Sequence, residues 1–437
     1  MLTEIVQRDA ADTGRDLHAL ASRLYPICRS ITGDGVRRTL AMIQEHIPLT
    51  LHEVSSGTEV FDWTIPKEWN IRDAWIRRAD GTKVVDFQKC NLHVMSYSTP
   101  VRGAFTLDEL RPHLFTIPDR AEWIPYRTSY YREDWGFCLS HNQLQSLKDE
   151  TYEVCIDSTL QDGHLTYGEF YVAGRTSDEV LISCHVCHPS LANDNLSGLV
   201  VATALARRLA ERVPRYSCRF LFIPGTIGAI TWLSQNREAA ARIRHGLVLT
   251  CVGDSGHFHY KRSRRGHAEI DRAMAQALKE CGEPFELLDF TPYGYDERQY
   301  CSPGFNLPVG CLMRSVWGTF PEYHSSADNL DFIRPEALAA SLRLCTATLE
   351  ILENNRRYLS QNPWCEPQLG RRGLYTSVGG QPIGEAINAR LWVLNFADGE
   401  HSLLDIAERS GISFGLLSDA ANALSDAGLI TALPAAA

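Results

Sequence analysis

From about residue 151 the chain alternates strand-like runs with long helical ones, and this alternation limits its folds more than any other feature. YEVCIDSTL, HLTYGEFYVAG, EVLISCHV, CRFLFIPG and HGLVLTCVGD are rich in β-branched and aromatic residues, whereas LSGLVVATALARRLAER and AITWLSQNREAAARI carry apolar residues at helical spacing. Strands separated by helices of a dozen or more residues predict an α/β domain, a sheet covered by helices on both faces, closed by a helix over about 335–354.

Other textures flank this domain. Leu17, Leu20 and Leu24, then Val36, Leu40 and Ile43, sit at helical spacing on either side of a Thr32-Gly33-Asp34-Gly35 turn, which predicts two helices. Between about 59 and 136, short aromatic and β-branched runs separated by turn residues predict a small β-rich domain, with a hairpin turn at Ala79-Asp80-Gly81-Thr82. If the N-terminal helices pack on the α/β domain, that β-rich piece is an insertion. After a Pro-, Gly- and Arg-containing linker at 360–382 come three short amphipathic helices and a terminal strand, the pattern of a small winged helix. The expected organisation is 1–58 and 137–358 for the α/β domain, 59–136 for the insert, and 359–437 for linker and winged helix.

A chain of 437 residues accommodates two or three such domains. No run reaches the roughly 18 apolar residues of a membrane span, and the first residues lack the basic start and apolar run of a secretory signal. Thirteen cysteines, an odd number without framework spacing, suit reduced thiols, so a cytoplasmic location is expected. The net charge of −10 argues against nucleic acid as a partner. Residues 371–437 hold four Arg and no Lys against seven Asp and Glu, so the winged helix is expected to dock a protein rather than DNA. A homo-oligomer is compatible with this composition.

The densest chemistry lies in Ser183-Cys184-His185-Val186-Cys187-His188 and the following Asn193-Asp194-Asn195, directly after the strand-like EVLIS and before a strong helix. Ligands bind at the carboxyl ends of strands in open α/β sheets, and imidazole with carboxylate is the usual donor set of a catalytic zinc. The same residues also suit a helix cap beside a satisfied core histidine, and on composition alone both readings stand. His324 lies in a second polar loop, PEYHSSADNL, and Asp254 ends the apolar run LTCVGD.

The order His185, Asp194 within NDNLSG, Asp254, His324 resembles that of the M28-type zinc aminopeptidases. The runs LYPICRSITGDG, CHPSLANDNLSG, YDERQYCSPG and PEYHSSADNLDFI are similar to a family of aminopeptidase-like domains of unknown function, in which an M28-like domain carries an inserted β-rich domain and a C-terminal winged helix. The resemblance implies a mixed sheet of the M28 phosphorylase/hydrolase type flanked by helices. It also implies one or two zinc ions: His185 and Asp254 on the first, Asp194 bridging, and His324 on the second. The activity implied is hydrolysis of an amide bond in a small peptide or aminoacyl conjugate.

One departure bears on that activity. The Glu-Glu pair that supplies M28 enzymes with a general base and a ligand is replaced by Gly225-Thr226, and the Asp two residues beyond the first His is replaced by Cys187. Asp296, Glu297 and Glu322 are the candidate replacements for the base; Arg298, Tyr300, Arg262 and Arg29 are candidates for substrate recognition, since guanidinium pairs bidentately with carboxylate. The missing pair also supports an alternative reading, a binding or scaffold protein that kept the metallopeptidase fold and lost turnover. A thiol enzyme on Cys187 and His188 is disfavoured, because adjacent residues of an extended segment point to opposite sides.

Overall fold

The computed structural model describes residues 2–375 and 384–434, and the chain divides into two compact units. The larger, residues 1–266 with 284–343, is built on an eight-stranded mixed sheet. Its strand order is Thr50–Ser55, His164–Val172, Tyr216–Ile223, Thr176–His185, Ile243–Leu249, Val309–Met313, Phe258–Lys261, Phe285–Leu288. The four strands from Tyr216–Ile223 to Val309–Met313 are mutually parallel. Every residue of Tyr216–Ile223 is buried, as expected of a central strand covered on both faces. Helix Gly198–Ala210 covers the sheet with Leu199, Val200, Leu205 and Leu209 buried. Helices Leu2–Leu24 and Asp34–Gln44 also belong to this unit.

A second, antiparallel sheet in the same unit has the order Lys83–Asp86, Glu68–Arg77, Thr151–Gln161, Val101–Thr106. Thr151–Gln161, whose sequence texture matches the α/β strands, pairs here along nearly the whole of Glu68–Arg77. Its burial alternates over its first half, as a strand with one packed face requires.

The smaller unit, residues 267–283 and 344–437, contains helix Glu269–Glu280, helices Glu385–Asn395, Leu403–Ser410 and Phe414–Asp426, and a three-stranded antiparallel sheet of Arg357–Ser360, Asp398–Ser402 and Ile430–Ala432. Ser402 caps its helix in a capping box with Asp405, and Arg272 pairs with both Asp405 and Glu408.

Candidate metal centre

Three adjacent parallel strands end on the same edge of the large sheet, which gathers the loops that begin at His185, Pro224-Gly225 and Thr250. Among the described residues, one group of His, Cys, Asp and Glu side chains stands close enough to share a cation. It consists of His185, His188 and Asp194, all buried, with ligand atoms within 4.8 Å of one another. His185 Nε2 lies 2.8 Å from Asp194 Oδ1, and His324 Nε2 lies 3.0 Å from Asp194 Oδ2. The carboxylate therefore has a histidine on each oxygen.

The electrostatics suit a cation. Burial lowers the pKa of His185 and takes that of His188 well down, so both rings are neutral. Burial alone would raise the Asp194 carboxyl, but the neighbouring imidazoles of His188, His185 and His324 hold it well below the usual range. One ionised carboxylate among neutral imidazoles is a donor set in the protonation state that metal binding needs.

Neighbouring loops hold this set in place. Asp328 accepts hydrogen bonds from the backbone N–H of Asn193 (2.6 Å) and Asp194 (2.9 Å), and its own carbonyl accepts from Ala192 (3.0 Å). The Asn195 amide donates to the Leu249 carbonyl at 2.9 Å and stands 3.2 Å from His185 Nδ1, while its Oδ1 accepts from Gly198 N–H. Tyr295 stacks on His185 at 3.8 Å between centroids and Tyr323 on His324 at 3.9 Å. Thr226 and His324 both hold left-handed φ, +64° and +54°; such strained non-glycine positions concentrate at functional sites.

The remaining sequence candidates fall in varied surroundings. Asp254 accepts from Asn193 Nδ2, Ser315 Oγ (both 2.7 Å) and Gly256 N–H (2.6 Å), and stands outside the three-residue group. Glu297 is buried in an ion pair with Lys261 at 2.8 Å and also accepts from Tyr295 N–H, so it anchors the Tyr295 loop. Asp296 is buried; its Oδ1 accepts from Thr226 N–H at 2.6 Å, its Oδ2 meets no hydrogen-bond partner, and burial pushes its carboxyl up to about 7. Arg298 Nη2 lies 3.4 Å from Thr226 Oγ1, and Tyr300 is buried with its hydroxyl on Ser183. Arg262 pairs with Asp289. Arg29, 1% exposed, donates to the carbonyls of His188 and Leu24. The Glu322 carbonyl accepts from Ser325 N–H and Oγ, turning the loop that presents His324.

Cys187 Sγ approaches His188 Nδ1 at 3.5 Å, although the two residues are adjacent in the chain. Burial pushes that thiol up to about 12, so it carries no thiolate at neutral pH. Where a carboxylate pair is missing, a Cβ built on Gly225 would stand 1.9 Å from Tyr295 Oη. Tyr295 fills the volume that a larger side chain at Gly225 would need.

Residues 18–355 match the family described as a domain of unknown function, DUF4910, and residues 356–432 match a winged helix-turn-helix family. The chain belongs to the DUF4910 family. A Clostridium acetobutylicum relative, named provisionally as a polysaccharide biosynthesis protein with an aminopeptidase-like domain, is 53% identical over 420 residues, covering 95% of this chain and 96% of its own. The crystal structure of a protein from that organism, described provisionally as a peptidase, superposes with a TM-score of 0.93 at 50% identity, covering 99% of this chain and all of that one.

More distant likenesses show the fold. The zinc aminopeptidase of Bacillus subtilis superposes with a TM-score of 0.56 at 14% identity, over 78% of this chain and 95% of that one. A peptidase M28 precursor from Shewanella amazonensis gives 0.55 at 14% identity, over 81% and 97%. The large unit is thus an M28-like mixed α/β fold, followed by a winged-helix domain. No helix among the described residues is long and apolar enough to cross a membrane.

His188, Tyr126 and Asp328 are not among the site residues that the sequence leads one to expect. His188 was findable, standing three residues from His185 in the densest polar run.

Proposed function

We propose that this protein is a zinc-dependent amide hydrolase acting on a small peptide or aminoacyl conjugate. The observation that carries this reading is the buried group of two neutral imidazoles and one carboxylate at the carboxyl edge of an M28-like sheet. His185, His188 and Asp194 would hold one ion, a three-ligand set that leaves a position open. Zinc there would supply Lewis acidity, polarising the amide carbonyl and acidifying water.

The chain's own groups do the rest. His324, with a side chain 34% exposed, donates from Nε2 to Asp194 Oδ2, which leaves Nδ1 as the nitrogen that would take a proton from the attacking water in the absence of the usual Glu. Asp254, held by four donors from Asn193, Gly256 and Ser315, fixes Asn193 and with it the Asp194 loop. The stacked rings of Tyr295 and Tyr323 shield the two histidines from bulk water. The relative named for polysaccharide biosynthesis supports an amide borne on a sugar as the substrate class.

A second reading rests on the placement of His185 and His324 on opposite oxygens of Asp194, which suits a carboxylate bridging two ions. Zinc per chain, measured by plasma mass spectrometry on wild type, His188→Ala and His324→Ala, separates the two. One zinc, lost in His188→Ala and kept in His324→Ala, supports the single-ion site; two zinc, falling to one in His324→Ala, supports the bridged pair. No zinc after reconstitution leaves a scaffold protein on a metallopeptidase fold.

A further inference from the structure

The metal-site loop that carries His324 is paired, backbone to backbone, with a segment that precedes it by some two hundred residues in the chain. Tyr126 N–H donates to the His324 carbonyl at 2.7 Å, and Ser326 N–H donates to the Ile124 carbonyl at 2.8 Å. Ile124 N–H donates to Ser326 Oγ at 2.9 Å, and Pro125 and Ser325 form an isolated antiparallel bridge. This short ladder holds His324 at its left-handed φ of +54°. It also brings one side chain of the β-rich insert into the site: the Tyr126 ring lies 5.0 Å from the His188 ring and 5.1 Å from that of His324, centroid to centroid.

Three tyrosines touch the histidines, and two of them act as covers. Tyr295 lies on His185 with an interplanar angle of 30°, and its hydroxyl stands against Gly225; Tyr323 lies nearly flat on His324, at 13°. Tyr126 meets its two imidazoles at steep angles, 55° and 86°, so its ring enters between them. Its hydroxyl is 2.9 Å from that of Tyr130, and a phenol can accept one such bond while donating its own proton elsewhere. Of the cations nearby, Arg29 donates to backbone carbonyls and Arg298 reaches Thr226, while Arg29 Nη2 and Arg298 Nε meet no hydrogen-bond partner.

We infer that the insert completes the site and that Tyr126 is a catalytic residue, its phenol donating a hydrogen bond to the carbonyl oxygen that gains negative charge when the amide is attacked. No proton changes owner in this step; the phenol remains neutral and the hydrogen bond shortens as charge develops. The inference rests on the amide-hydrolase reading of the same site.

Inorganic phosphate, a small tetrahedral oxyanion, is the probe, with binding followed by calorimetry on the zinc-loaded full chain after zinc per chain has been measured. Wild type is expected to bind phosphate and Tyr126→Phe to bind it about tenfold to a hundredfold more weakly, at unchanged zinc content and thermal midpoint. Tyr130→Phe, which leaves the donor in place, is expected to stay within about threefold of wild type. Equal affinity in wild type and Tyr126→Phe overturns the role of Tyr126 while leaving the zinc site standing, as does an equal loss in both variants or no phosphate binding by zinc-loaded wild type. Failure of wild type to retain zinc overturns the metal reading itself, and this inference with it.

Discussion

Gly225→Ala tests whether Tyr295 occupies the space where M28 enzymes place a carboxylate. The added methyl would stand 1.9 Å from Tyr295 Oη, 2.6 Å from Cζ and 2.7 Å from Cε1, so the ring must move. It has little room, because one face stacks on His185 at 3.8 Å and the hydroxyl stands 3.9 Å from Cys187 Sγ. Overpacking of this kind costs about 1–3 kcal/mol. Replacing glycine at a tolerated φ returns about 0.4–1 kcal/mol by restricting the unfolded chain, leaving a net loss of about 0.5–2 kcal/mol. Tyr295→Ala alone should lose about 3 kcal/mol or somewhat less, since the ring is half-buried. In the double variant the methyl meets no ring, so it should be no less stable than Tyr295→Ala, a coupling of about 1–3 kcal/mol. Urea unfolding midpoints of the four proteins at constant slope measure this cycle. Strict additivity, or a Gly225→Ala protein as stable as wild type, refutes the assignment of that volume to Tyr295.

Further outcomes are open to direct measurement. Glu297→Gln should destabilise by about 3–5 kcal/mol in the same urea assay, because it leaves Lys261 buried without its anion. His245 is buried with neither ring nitrogen hydrogen-bonded, and burial lowers its pKa to about 3. The unfolded ring protonates near 6.5, so this site holds its full stability above that pH and loses it as pH falls toward 3. The loss is about 2 kcal/mol between pH 7.5 and pH 5, and His245→Phe should abolish that part of the pH profile; an unchanged profile assigns the acid sensitivity elsewhere. The winged helix should retain no duplex DNA at about 50 mM salt in a filter-binding assay, given its acidic composition, and salt-sensitive retention would reverse that expectation.

Much of this architecture was legible because it depends on local pattern. The strand and helix alternation after about residue 151 marks the large sheet, apart from its first strand, Thr151–Gln161, which pairs in the second sheet, and the polar run after EVLIS marks its chemical edge, where the structure brings His185 and Asp194 within 2.8 Å. What stayed hidden depends on contacts between distant segments. Tyr126 is one of several tyrosines in EWIPYRTSYYRE, and nothing local separates the ring that reaches His188 and His324 from its neighbours. Lys261 opens the run KRSRR, which reads as a solvated face, yet its ammonium is buried against Glu297. The donors around Asp254 come from residues 193, 256 and 315, a convergence that linear order does not announce.

Asp328 bears on how the site would take up a cation. It lies four residues beyond His324, yet its carboxylate and carbonyl hold the backbone of three consecutive residues, Ala192 to Asp194. Two loops far apart in the chain are therefore latched together through bonds that involve no ion at all. The chain's own hydrogen bonds thus set the arrangement of these loops, so capture of a cation should need little rearrangement and little ordering entropy. The amides of residues 193 and 194 should accordingly resist hydrogen exchange as well as a strand does, with or without zinc, although they belong to a loop.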